Sequence, residues 1–372
     1  MTLGSGGRVD DPAPAVSLPE APPIVSEAAP AAAGPLKVKR GKPIQGASGL
    51  GWMFSGPALI GLLVFVAIPI VLTAWVSLRD WSGLVSPFET EYVGFENYSE
   101  LLFQDGVRRT DFALSIRNNF YYVLFVVPMQ TTIAFVLAVI LNNKFLKGKG
   151  FFRTSYYFPS ITSSIAVTLI FVFLFQTSGA INAILPFETI NWLDNANGLF
   201  HNALGLIGIE EPPVWMIENE FMGVTYWQWI AGPSVAMFAI ILLVTWTTIG
   251  TFMLIFLAGL QSIPESVEEA AKVDGASAFQ TFWHVIIPLM RPTIFFVVTI
   301  GLIATWQVFD QIYAASFGGP QKTTITPAFL IYFQSFRNSQ AALAAAIAVL
   351  LLAVIMLFTF IQRRLIKSTG NV

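Results

Sequence analysis

The chain has 372 residues, of which 55% are hydrophobic and only 11% charged, and its formal net charge is −2. Soluble domains carry roughly a quarter charged residues, so this composition belongs in lipid, and the slightly acidic balance argues against a nucleic-acid binder. With no cysteine there is no disulfide framework and no thiolate metal site.

The first 49 residues are rich in Pro, Ala, Gly and Ser and carry no apolar periodicity. They read as a disordered tail, without the short apolar segment and cleavage site of a secretory signal. The tail ends in a basic cluster, Lys37-Val-Lys-Arg-Gly-Lys42. Beyond it, uncharged runs of about 20 residues are each enough to cross a hydrocarbon core of roughly 30 Å. They predict six spans, at 52–78, 118–143, 155–177, 233–260, 292–315 and 341–361. The fold class is an all-α polytopic membrane protein, with a membrane domain over 50–366 and a C-terminal tail over 367–372.

Six spans put both termini on one side, and the basic residues choose the side. The N-terminal tail holds five Lys and Arg, the loop after span 2 four, the loop after span 4 two and the C-terminal end three, whereas the other three loops hold four, none and two. By the positive-inside rule the first set is cytoplasmic. The sharpest case is the loop 178–232, which has Glu188, Asp194, Glu210, Glu211, Glu218 and Glu220 and no Lys or Arg. That loop is predicted to be extracytoplasmic, with Tyr226, Trp227 and Trp229 at the mouth of span 4 as an aromatic belt. Its acidic and aromatic side chains either dock a partner or simply keep the spans apart.

Between spans 4 and 5, within 261–290, is the longest charged patch that lies between two strongly apolar runs. Ser262 and Glu265 have capping-box spacing, and Pro264 suits a first helical turn. Asp274-Gly275 marks a turn, because Gly accepts positive φ without steric cost. Ser277 and Gln280 form a second capping box, which restarts a helix with Phe279, Phe282, Trp283 and Ile286 on one face until Pro288 closes it. The result is a cytoplasmic knob of helix, bend and helix. Here the chain reads Glu269-Ala270-Ala271, then Gly275, then Val285-Ile286-Ile287-Pro288. This resembles the EAA loop of the membrane subunits of binding-protein-dependent ABC importers, with Val285 and Ile287 as conservative replacements. The flanking Ala258–Pro264 and Val273–Ser277 segments are similar to the carbohydrate branch, typified by the maltose and glycerol-phosphate permeases. So are Tyr92–Leu102, Phe151–Pro159, Asn338–Ala348 and the Gly-Gly-Pro turn at 318–320.

The resemblance implies a bacterial inner-membrane complex. Its parts are a second homologous permease, two ATP-binding subunits, an extracytoplasmic solute-binding protein and a carbohydrate substrate. It also implies that Glu269, Ala270, Ala271, Asp274 and Gly275 couple to the ATPase. The chain has no G-x-x-x-x-G-K-[ST] phosphate loop, so ATP and Mg are expected on the partners, with no cofactor here and no enzymatic role. Its two histidines, His201 and His284, are far apart, and no metal site is expected.

The one charge read inside a span is Asp310, and a carboxylate at membrane depth usually faces a cavity. At helical spacing Trp306, Gln307, Asp310 and Tyr313 share or adjoin one face, bordered by Thr305. Rings that stack on sugars beside groups that exchange hydrogen bonds with hydroxyls suit a neutral polyol. The competing reading is local pairing of Asp310 with Lys322 or Arg337. Span 4 offers Trp246, Thr248 and Thr251; in the family, spans 4 and 5 line the path, although threonines in membrane helices often bond their own backbone. Two alternatives remain open: glycerol phosphate or another anion as solute, and a secondary transporter with no ATPase.

Overall fold

Five helices in the computed structural model are long and apolar enough to cross a bilayer: Gly51–Val76, Val107–Asn142, Val235–Gln261, Ala278–Trp306 and Ala341–Leu365. A bent pair, Lys149–Ile161 and Ser164–Leu174, passes the same test as a unit, with 99° between its halves. We number these spans 1, 2, 4, 5 and 6, with the bent pair third. The described residues are 47–143, 145–185, 189–205, 208 and 211–365, with backbone alone at 47–50. Most of the predicted N-terminal tail, its basic cluster, Glu188, Glu210 and the C-terminal tail fall outside them.

Span 2 packs on span 4 with the two helices running in the same direction, Arg117 beside Gly232 at one end and Gln130 beside Thr248 further along, and the two form the centre of the bundle. Ala134 and Ala138 of span 2 are fully buried against Ile249, Phe252, Met253 and Phe256 of span 4. Small side chains let helices approach closely where no hydrophobic drive exists between them. Span 6 is closed in the same manner, with Ala342, Ala344 and Ala346 buried. Span 1 instead exposes Phe65 and Val71, a surface for lipid or another subunit.

Several sequence expectations are corrected. Span 2 begins at Val107 rather than near residue 118, so its 36 residues rise about 54 Å, well past the hydrocarbon core. The predicted continuous third span is broken, because Thr162 and Ser163 are extended (ψ 154° and 124°). The hydroxyls of Ser160 and Thr162 donate to the carbonyls of Tyr157 and Phe158 at 2.6 and 2.9 Å, the local competition with helix that Ser and Thr provide. Pro288 does not end a helix. Span 5 runs from Ala278 to Trp306, and a π-helical turn over Phe282–Ile286 precedes the proline, with Ile287 N–H bonded to Phe282 O. The wider turn absorbs the missing donor and the ring clash that proline brings to an α-helix. The same arrangement, a π turn over Leu63–Ala67 and then Ile68-Pro69, occurs in span 1.

The predicted end of span 5 at 315 is also wrong. The helix stops at Trp306, the chain turns through Gln307–Phe309, and a short helix Asp310–Ala315 follows. There is no Pro or Gly from 302 to 315, and the stop is held by side chains from elsewhere. Asn119 Nδ2 donates to Trp306 O at 3.2 Å and Thr326 Oγ1 to Val308 O at 3.0 Å. The neighbours of Asn119 behave alike. Asn118 Nδ2 donates to Lys322 O and Ile325 O (2.9 and 3.1 Å), and Arg117 Nη2 to Gly232 O (2.6 Å). Three consecutive buried residues of span 2 therefore hold carbonyls at the start of span 4, at the end of span 5 and in the segment before span 6.

The acidic segment 178–232 is built rather than featureless. It carries short helices at Ala180–Ile184, Leu199–Gly205 and Val214–Glu218, and a hairpin pairing Glu220–Phe221 with Val224–Thr225. A capped turn of helix, Tyr226–Ile230, then leads towards span 4. Trp229 donates to Phe221 O at 3.2 Å, and Trp227 meets His201 edge-on at 5.6 Å, so these rings lock the segment internally.

Replacing Asn118 with Leu removes the side-chain donor from the carbonyls of Ile325 and Lys322, the second of which keeps only a long bond from Ile325 N–H at 3.5 Å, and an unpaired buried carbonyl costs about 1–3 kcal/mol. The thermal midpoint of the purified protein in detergent is expected to fall by at least about 2 °C; an unchanged midpoint contradicts the role given to this side chain.

Candidate functional site

The stop at Trp306 opens a cavity of about 260 Å³ between spans 2, 4 and 5 and the short helix. Span 4 contributes Val244, Thr248 and Phe252, one helical face at four-residue spacing. Span 5 contributes Gly301, Ala304 and Thr305, and the turn and short helix add Gln307, Phe309, Asp310 and Gln311. Span 2 supplies Tyr122 and Gln130.

Four of the eight predicted path residues line this cavity: Thr248, Thr305, Gln307 and Asp310. The other four lie elsewhere. Trp306 is fully buried on the opposite side, 5.1 Å from the Phe358 ring and clustered with Val123, Val127 and Leu351. Once the helix stops at residue 306, helical spacing no longer relates Trp306 to Asp310, and the predicted shared face is lost. Tyr313 belongs to an aromatic cluster with Phe309 and Tyr332, at 5.5 and 5.3 Å. Trp246 is 45% exposed and packs on Phe171 at 5.2 Å. Thr251 is exposed, off the 244–248–252 face.

Asp310 sits in the first turn of the short helix, not inside a span, and is exposed. The alternative pairings fail on geometry. Lys322 Nζ is 2.6 Å from Asp111, and the Arg337 guanidinium lies over the Phe317 ring at 5.8 Å. Among the described residues that line the cavity, Asp310 is the only charged one. A buried charge within a span that sequence reasoning missed is Arg117, in span 2 because that helix starts early.

Gln130 and Gln311 were also missed. Gln130 is completely buried, its Oε1 accepts from Thr248 Oγ1 at 2.8 Å, and its Nε2 has no partner among the described residues. Gln311 donates to Ser164 Oγ at 2.9 Å and so ties the short helix to the second half of the bent pair. The available signal was an amide in the middle of an apolar run, since polar side chains at membrane depth face partners or cavities.

At the far end of span 4 the chain forms the predicted bend. A helix Glu265–Val273 ends at Asp274, and Gly275 has φ +77°. Ala276 N–H bonds Ala271 O at 3.0 Å and Asp274 N–H bonds Ala270 O at 2.9 Å, which satisfies carbonyls left open at a helix end. The second capping box is present, Ser277 N–H to Gln280 Oε1 at 2.8 Å and Gln280 N–H to Ser277 Oγ at 3.3 Å. The first is not. Ser262 Oγ donates back to Gly259 O at 2.7 Å, and no side-chain bond caps the helix at Pro264, because Ser262 still belongs to the end of span 4. Of the five predicted coupling residues, Glu269, Ala270, Asp274 and Gly275 are exposed and Ala271 is buried. The expected single aromatic face is divided by the π turn. Phe282 packs on Phe135 at 6.0 Å, whereas Phe279 and Trp283 stay exposed, together with Val273 at 88%.

A helical membrane bundle with a polar cavity at a helix stop, and a bent, exposed hairpin at the end of a central span, defines a membrane permease subunit. Residues 119–370 match the family described as binding-protein-dependent transport system inner membrane component, and the chain belongs to that family. It is therefore a multi-pass inner-membrane component of a binding-protein-dependent transport system. It is 32% identical over 321 residues (86% of this chain, 95% of the relative) to the multiple sugar-binding transport system permease protein MsmF of Streptococcus mutans. The lactose transport system permease protein LacF of Rhizobium radiobacter is 31% identical over 320 residues (84% and 94%). A chain of a bacterial alginate ABC transporter, crystallised with its alginate pentasaccharide-bound periplasmic protein, shares the fold. The TM-score is 0.65 at 18% identity, covering 88% of this chain and 96% of that one.

Because no hydrogen bond or ion pair to the Asp310 carboxylate forms among the described residues, Asp310→Asn is expected to change stability by less than about 0.5 kcal/mol. Denaturation of the purified protein checks this; a larger loss would reveal a structural partner.

Proposed function

We propose that this subunit belongs to an ATP-driven importer that moves an oligosaccharide or related neutral carbohydrate through the cavity at the end of span 5. The lining carries the reading. Uncharged hydrogen-bonding groups (Gln130, Thr248, Gln307) stand beside aromatic rings (Tyr122, Phe252, Phe309), with one carboxylate and no cation. Rings stack on the apolar faces of a pyranose, while amides and hydroxyls exchange hydrogen bonds with its hydroxyls. A phosphate or other anion would meet Asp310 without a compensating Arg or Lys. The names of the relatives, which transport lactose and other sugars, support the same choice. The cavity volume lies near the lower bound for ligand sites, about 300 Å³, so a longer sugar would pass a ring or so at a time.

In this reading the bend at Gly275 faces the cytoplasm and seats on one of two ATP-binding subunits, which hold ATP and Mg. A second permease completes the path, and an extracytoplasmic binding protein delivers the sugar to the side of the acidic segment. Glu269 pairs with a basic group on the ATPase, Ala270 allows close approach, and the exposed Val273, Phe279 and Trp283 supply apolar contact. Ala271 is buried and holds the bend from inside. Closure of the ATPases moves the bend, and the spans swing between two arrangements of the path. Both termini lie in the cytoplasm.

A valine at position 275 has no clash to relieve, since the space around Gly275 is open, but positive φ costs a non-glycine residue about 1–2 kcal/mol. Gly275→Val is expected to cut uptake by about tenfold or more while ATP hydrolysis in the same membranes persists; normal uptake contradicts the coupling role. The substrate class is tested with labelled neutral oligosaccharides and sugar phosphates offered to cells. Uptake of the neutral sugars is expected, and uptake of the phosphates alone would overturn the reading.

A further inference from the structure

We infer that Gln130, on span 2, is a substrate-reading residue of the cavity, with its Nε2 as the donor presented to an oxygen of the passing sugar. The inference rests on the carbohydrate reading above. The side chain is fully buried and lines the cavity. One end of its amide meets span 4, with Oε1 2.8 Å from Thr248 Oγ1, a hydroxyl that shares its single hydrogen with Val244 O at 2.8 Å. The other end is held open, because Nε2 meets no acceptor among the described residues.

Span 5 makes room for that open end. A Cβ on Gly301 would stand 2.6 Å from Gln130 Nε2, closer than non-bonded atoms approach. A side chain at position 301 would therefore occupy the place of the amide. A buried amide with an unmade hydrogen bond costs stability, because its desolvation is not compensated. The arrangement becomes favourable when an acceptor arrives. A ring or hydroxyl oxygen of a carbohydrate is such an acceptor, and an apolar solute is not. Recognition of this kind discriminates strongly, because a solute lacking the oxygen leaves the buried donor unpaired. Thr248, which lines the cavity beside it, orients the amide, so the two residues bridge spans 2 and 4. If the spans shift during transport, the bond that orients Nε2 shifts with them.

The test replaces the chromosomal copy with Gln130→Leu, which removes both ends of the amide, or Gln130→Met, which keeps the length of the side chain but removes the N–H donor. Uptake of tritiated lactose and maltose is measured in intact cells, and each rate is divided by the amount of subunit in the membrane fraction. The maximal rate per subunit is expected to fall at least tenfold in both variants. The half-saturating sugar concentration, set by the binding protein, stays within about twofold. Gly301→Ala, which displaces the amide, reproduces the loss. A merely structural residue would lower the amount of subunit and not the rate per subunit. Wild-type rates per subunit in Gln130→Met overturn the role of Gln130 and leave the carbohydrate reading standing. Failure of the unmodified subunit to take up either sugar, with uptake of sugar phosphates instead, overturns the carbohydrate reading and this inference together.

Discussion

A backbone carbonyl in a hydrocarbon core has no water to turn to, so a membrane helix stops only where the protein itself supplies the missing donor. Span 2 supplies those donors. Arg117, Asn118 and Asn119 reach in turn to Gly232, to Lys322 and Ile325, and to Trp306. The last of these bonds permits the feature on which the site depends, a helix that stops at Trp306 without proline or glycine. Everything lining the cavity from Gln307 to Gln311 is where it is because the helix stops there.

The opposite problem is solved in the opposite way where the chain must not stop. Pro288 lies where span 5 leaves the bent hairpin, and a break there would isolate the hairpin from the bundle. The π turn over Phe282–Ile286 keeps the helix continuous from Ala278 to Trp306. The bend at Gly275 is thus joined by one unbroken helix to the cavity at Gly301 and Thr305, and by span 4 to Thr248. A displacement of the hairpin has a direct mechanical route to two walls of the site.

Much of this was legible in the sequence. Hydropathy marks the long helices, and Gly275 with the Ser277/Gln280 box marks the bend, because both signals are local. What the sequence hid is not local. The stop after Trp306 is made by Asn119 and Thr326, distant in the chain, so a periodicity argument carried the helix on to 315 and put Trp306 and Asp310 on one face. The break at Thr162–Ser163 hides in an uncharged run, since hydropathy does not register hydroxyls that compete for the backbone. Span 2 looked shorter than it is because Arg108, Arg109 and Arg117 interrupt its apolar run, though Arg117 is buried and paired with a carbonyl. In the site, Thr248 was found and Gln130 was not, although one hydrogen bond joins them. The threonine lay in a span already expected to line the path, and the glutamine did not.

We propose that the bend at Gly275 lies in the cytoplasm and the hairpin at Glu220 outside. The chain has no cysteine, so single substitutions report without background. Lys272→Cys and Glu220→Cys, each exposed to a membrane-impermeant maleimide in intact cells, measure it directly. Labelling of the cysteine at 220 in intact cells, and of the one at 272 only after permeabilisation, is the predicted result. Labelling at 272 from outside contradicts the account.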